Sequence, residues 1–254
     1  MRNPLRYAVA AAVAVLLGTA ALPAAAAGPV KNIVLVHGAW ADGSGWQGVY
    51  DRLVKDGYNV SVVANPNTGL ADDVAATQRV LDRQTGPVIL VGHSYGGAVI
   101  TEAGADPKVA ALVYIAAFAP DAGETIAKFL PTSPPPPFEP SKDGLVFFNR
   151  SAFLAAFAPD VPMATRVFMA DAQVPLATST FAAPIANPAW KTKPNWYLVS
   201  SNDMIIPPDV ERMYAKRMKA TTEEVAGSHV AFISHPDVAA HIIEEAAKGA
   251  GGSP

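Results

Sequence analysis

From residue 30 onward, short apolar runs alternate with stretches where apolar residues recur every three or four positions. Ile33-Val34-Leu35-Val36 predicts a buried strand, and Trp46 to Lys55 an amphipathic helix closed by Gly57. Asn59 to Ala64 reads as a second strand. Ala71 to Gln84 reads as a second helix, with Asp72 and Asp73 in its first turn, where acids complement the helix dipole. Val88 to Val91 forms a third strand, and the helix after it ends before Pro107. Val109 to Phe118, Asn195 to Ser200 and Thr222 to Val225 supply three more strands. Helices over Pro208 to Met218 and Pro236 to Lys248 separate and follow the last two. Continuous apolar strands joined by helices predict an α/β fold, a mostly parallel sheet of about six strands covered on both faces. Residues 249–254 read as a frayed tail.

Residues 120–190 break this rhythm. They hold Pro134-Pro135-Pro136-Pro137 and then Phe138, Phe147, Phe148, Phe153, Phe157, Met163, Phe168 and Met169. Ordinary packing helices are one reading. A cap insertion over the strand ends is the favoured one, because open α/β sheets bind ligands at that edge.

The first 27 residues follow a different logic. Arg2 and Arg6 precede an apolar run from Ala8 to Leu22, then Pro23-Ala24-Ala25-Ala26-Ala27. A basic start, an apolar stretch of about fifteen residues and small residues at the end describe a signal peptide cleaved near Ala27. The run is short for a membrane span. Residues 1–27 are thus expected to direct a domain of residues 28–254 out of the cytoplasm, secreted or periplasmic, without stable membrane insertion after cleavage; an uncleaved anchor is the alternative.

Composition narrows the chemistry. Of 254 residues half are hydrophobic and 16% charged, and the formal charge of −3 comes without a basic cluster. Nucleic acid is therefore not an expected partner. No cysteine is present, so neither disulfide nor thiol chemistry is available. The five histidines form no metal-binding spacing. No metal or cofactor is expected.

The chemistry concentrates at Gly92-His93-Ser94-Tyr95-Gly96. This G-x-S-x-G stretch has a strand before it and a helix after it, the context of a nucleophile elbow. The reversal from strand to helix strains the central serine and demands small neighbours. A serine hydroxyl needs a base, and the base needs a group that fixes its tautomer. His229, on a Gly-Ser loop after the sixth strand, is the expected base; His235 and His241 read as surface residues. Asp203, on the loop after the fifth strand, is the expected acid, with Asp121 after the fourth strand as rival. The oxyanion donors are expected at the backbone N–H groups of Tyr95 and Ala39. His37 reads as a brace for the loop carrying Ala39. Trp40 and Met204 adjoin these residues and are the expected substrate contacts.

These residues make the chain resemble the α/β-hydrolase superfamily from about residue 30 to 248. The resemblance rests on Val34-Leu35-Val36-His37-Gly38-Ala39-Trp40, the elbow with Gly97, Asn202-Asp203 with Ile206-Pro207, and Gly227-Ser228-His229. Within it the chain is similar to small esterases related to plant methylesterases and hydroxynitrile lyases, through Ala116-Ala117-Phe118-Ala119-Pro120-Asp121-Ala122-Gly123-Glu124. The lyases carry a lysine after the histidine and a threonine in the oxyanion loop, where this chain has Val230 and Gly38. Dehalogenases and epoxide hydrolases of this fold use aspartate where Ser94 stands.

The resemblance and the residues together imply a serine hydrolase acting on medium-sized hydrophobic carboxylic esters through an acyl-enzyme. A small-ligand receptor that keeps the triad with negligible turnover is one alternative. Acyl transfer or perhydrolysis on the same intermediate is another.

Overall fold

The computed structural model describes residues 28–251. The expected signal peptide lies outside the described residues. Six strands form one sheet: β1 (Asn32–Val36), β2 (Asn59–Val63), β3 (Val88–Ser94), β4 (Val109–Ala117), β8 (Asn195–Ser200) and β9 (Thr221–Val225). Their order is β2-β1-β3-β4-β8-β9, and every pairing is parallel. The middle strands β1, β3 and β4 are buried on both faces almost throughout, which is why they read as unbroken apolar runs. The edge strand β9 alternates instead.

Helices α1 (Gln47–Lys55), α2 (Leu70–Asp82), α3 (Gly96–Ala103), α6 (Pro208–Met218) and α8 (Pro236–Gly251) cover the two faces, with a short α7 (Ala231–Ser234) leading into α8. The expected frayed tail is corrected over its first three residues: Gly249, Ala250 and Gly251 continue α8, and residues 252–254 lie outside the described residues. They do so because this end of the helix crosses other structure closely. A Cβ on Gly249 would stand 2.8 Å from the Trp196 ring, and Val30 N–H donates to Ala247 C=O at 2.9 Å. Glycine here serves helix packing rather than termination.

The insertion between β4 and β8 is a cap of mixed structure. It holds a small antiparallel sheet, β5 (Phe138–Pro140), β6 (Leu145–Phe148) and β7 (Leu176–Ala177), in the order β5-β6-β7. A single turn α4 (Arg150–Ala152) runs into a π-helical turn over Phe153–Phe157, and α5 (Met163–Asp171) follows. Aromatic contacts seat the cap on the loop after β1. The Trp40 ring lies 5.1 Å from both Phe138 and Phe148, and Trp40 Nε1–H donates to Val146 C=O at 2.9 Å.

Three backbone irregularities shape the sheet edge beneath the cap. Ser94 has φ 53° and Trp40 φ 56°, left-handed values that cost a non-glycine residue about 1–3 kcal/mol each. In β4, Ala116 at φ 43° is an extra residue: His93 pairs with Ile115 but Ser94 pairs with Ala117. This bulge bends the strand beside the elbow, as bulges near functional sites commonly do.

Candidate active site

The elbow is held by close backbone packing. A Cβ on Gly97 would lie 2.3 Å from Phe118 O, and one on Gly96 would lie 2.7 Å from His37 O. A Cβ on Gly38 would meet the Ser94 side chain at 2.7 Å, so the loop after β1 lies directly against the elbow. Only glycine permits these approaches.

Ser94 Oγ is 2.8 Å from His229 Nε2, and His229 Nδ1 is 2.6 Å from Asp203 Oδ2. All three side chains are buried, and they come from the ends of β3, β9 and β8. An Asp203 carboxylate can only accept, which puts the imidazole proton on Nδ1 and leaves Nε2 free to accept from the Ser94 hydroxyl. Asp203 Oδ1 accepts the N–H groups of Ile205 at 2.6 Å and Ile206 at 2.9 Å, so its orientation is set by the turn after β8. The rival acid Asp121 is engaged elsewhere, in an ion pair with Lys191 at 2.5 Å. His37 accepts the Asn65 N–H at Nε2 (3.0 Å) and donates from Nδ1 to Gly38 C=O (2.9 Å), the bracing geometry expected of it. His241 is exposed beside Glu223, whereas His235 is half-buried against Gly227.

Ala39, Trp40, Ser94, Tyr95 and Met204 line one cavity of about 100 Å³, closed by Phe138, Phe148 and Phe181 from the cap. The structure therefore gathers the expected oxyanion and substrate residues around Ser94. Met204 is 67% exposed, which puts it at the mouth rather than the floor. A second cavity, of about 330 Å³, shares Trp40 and continues past His37 and His93 toward Phe168 and Met169 of α5.

Several residues of the site escaped the sequence reading. His93 is buried and its Nε2–H donates to the His229 backbone C=O at 2.8 Å, tying the imidazole-bearing loop to the elbow. Burial, reinforced by the neighbouring His229, pushes the His93 pKa well down, so it is held neutral. Asp160 of the cap accepts the Ser228 N–H at 2.8 Å and its hydroxyl at 2.5 Å, and the Phe157 ring stands edge-on to His229 at 4.9 Å. Glu211 is buried behind Asp203 and accepts the Ser200 N–H at 3.1 Å. Burial first, and Asp203 next, raise its pKa to about 10. Asp73, read only as a helix-dipole acid, is fully buried; desolvation raises its pKa to about 6. A nearby Glu or Asp in one sequence carries no mark of burial, so only the glycine spacing of the elbow and the Gly-Ser-His loop were readable.

The comparisons agree with this architecture. Residues 33–242 match the model of the alpha/beta hydrolase family. A carbendazim hydrolyzing esterase from Nocardioides is 36% identical over 122 residues, covering 42% of this chain and 50% of that protein. The chain thus spans half the length of that relative. A pyrethroid hydrolase from Sphingobium wenxiniae is 27% identical over 248 residues, covering 85% of this chain and 87% of that protein. Among solved structures, an extracellular alpha/beta-hydrolase from a Paenibacillus species superposes with a TM-score of 0.76 at 21% identity, covering 87% of this chain and all of the other, which shows the shared fold. With the all-parallel sheet, the elbow and the match over residues 33–242, the chain belongs to the alpha/beta hydrolase family.

Proposed function

We propose that this protein is a serine carboxylester hydrolase in which Ser94 is the nucleophile, His229 the general base and Asp203 the orienting acid. One observation carries the proposal: the unbroken path from Ser94 Oγ to His229 Nε2 (2.8 Å) and from Nδ1 to Asp203 (2.6 Å). Ser94 Oγ attacks the ester carbonyl while Nε2 takes its proton. The carbonyl oxygen becomes an oxyanion, which the N–H groups of Tyr95 and Ala39 receive. The imidazolium, steadied by Asp203, then protonates the departing alcohol. Water enters and gives a proton to Nε2 as its oxygen bonds to the acyl carbon; the bond to Ser94 Oγ then breaks, Nε2 returns the proton to Oγ, and the acid leaves.

The chamber at Ser94 has apolar walls and a volume of about 100 Å³, which suits a short acyl group. The larger cavity beyond Trp40 leaves room for a bulkier hydrophobic portion of a medium-sized ester. Relatives named for carbendazim and pyrethroid hydrolysis support small hydrophobic esters and related carbonyl substrates. Export rests on the N-terminal 27 residues alone. The test is turnover of p-nitrophenyl esters of increasing chain length. The acetate and butyrate should exceed the palmitate, and Ser94→Ala should lose about a thousandfold or more in kcat while melting like the parent. Undiminished turnover by Ser94→Ala ends the proposal. Tight ligand binding with background turnover in the parent would favour a receptor instead.

A further inference from the structure

Tyr95 supplies more than a backbone N–H. Its side chain is buried, and its hydroxyl donates to Asp73 Oδ2 at 2.5 Å. Asp73 sits in the first turn of α2, and its other oxygen accepts the Asn67 N–H at 2.8 Å. Asn67 is itself fully buried with φ 58°, and its C=O accepts the Ala177 N–H of β7 at 2.8 Å. The Thr180 hydroxyl, buried in the cap, lies beside the same phenol. A continuous polar path therefore runs from the cap strand, through Asn67 and Asp73, to the residue that follows the nucleophile.

Burying this carboxyl is costly: only two donors replace its water, and desolvation is the main influence on it. The carboxyl fixes Asn67, in the loop leading into α2, with one oxygen and Tyr95 with the other. The Ser94–Tyr95 peptide follows a strained residue and leads into α3, whose N-cap residue, Tyr95 itself, makes no side-chain capping bond. Its orientation decides where the N–H points.

We propose that Asp73 is a positioning residue that, by holding the Tyr95 hydroxyl, aims the Tyr95 N–H at the oxyanion and links that aim to the seating of the cap. The proposal rests on the esterase reading given above. An oxyanion donor displaced by a fraction of an ångström loses part of its value in the transition state while leaving substrate binding nearly intact. Damage should accordingly fall on kcat rather than KM.

The test is kinetics of Tyr95→Phe, Asp73→Leu, Asp73→Asn and the Asp73→Leu/Tyr95→Phe double variant on p-nitrophenyl butyrate. Rates are normalised to serine sites counted by complete fluorophosphonate labelling, with melting temperatures recorded alongside. Tyr95→Phe and Asp73→Leu should each lower kcat about tenfold with KM changed by less than about twofold. Asp73→Asn should hold kcat within about threefold, since its amide can accept from Asn67 and donate to the Tyr95 oxygen. The double variant should be no slower than the worse single, because both changes break one link. Wild-type kcat in Tyr95→Phe, or losses that multiply in the double variant, would overturn the proposal. If Asp73→Leu does not fold, Tyr95→Phe and Asp73→Asn decide it. An inactive parent protein would instead refute the esterase reading, whereas an active parent with an unaffected Tyr95→Phe refutes only this positioning role.

Discussion

Glu211 and Asp203 are two carboxyl groups buried behind one imidazole, and they cannot both ionise there cheaply. Glu211 keeps its proton, so the pocket behind His229 holds one negative charge rather than two. This has a consequence for stability. The folded state holds a proton up to about pH 10, whereas the unfolded chain releases it near pH 4.5. The folded form therefore binds more protons between those values, and this group's contribution declines as pH rises through them. Glu211→Gln removes the titration and preserves the shape. In urea unfolding, the variant should gain on the parent as pH rises from 5 to 8, with the gap closing near pH 4. Equal stabilities at pH 8, or a larger gap at pH 4, would contradict it. Legibility at this scale was uneven. Ser94, His229 and Asp203 announced themselves through glycine spacing and loop position. Asp73, His93 and Glu211 did not, because burial of a polar side chain depends on partners distant in the chain, such as Tyr95 for Asp73 and the His229 carbonyl for His93.

Among the elements, the strands were the readable part. The runs at Ile33 to Val36 and Asn195 to Ser200 mark β1 and β8 nearly residue for residue, because strands buried on both faces are continuously apolar between their ends. The cap strands were not readable. At three, four and two residues, β5, β6 and β7 are too short to show a period. The extension of α8 was hidden for another reason: its last glycines signal a terminus locally and a close helix crossing globally. The packing of α3 is the element on which the elbow most depends. Since a Cβ at position 97 would sit 2.3 Å from Phe118 O, Gly97→Ala must push α3 away from β4. Overpacking of this kind costs about 1–3 kcal/mol. Thermal melting should show a drop of several degrees, with esterase activity falling further than stability alone accounts for, because Ser94 moves with the helix. An unshifted melting temperature with full activity would show that the crossing tolerates a methyl group.

For the molecule as a whole, the sheet brings the ends of β3, β8 and β9 to one rim and the cap closes over them. Three of the contacts that fasten the cap lie close to the candidate machinery: Trp40 among the phenylalanines, Asp160 on the loop bearing His229, and Asn67 against β7. Trp40 adjoins Ala39, Ser228 adjoins His229, and Asn67 reaches Tyr95 through Asp73, so the walls of the chamber and the alignment of the reactive groups are built from the same contacts. The account stands or falls on whether Ser94 is chemically activated by this assembly. A fluorophosphonate probe followed by peptide mapping measures that directly. We expect one adduct per chain, on the peptide containing Ser94, abolished in Ser94→Ala and slowed by about a thousandfold or more in His229→Ala. An unlabelled Ser94 in protein that hydrolyses esters, or an adduct on a different serine, would contradict it.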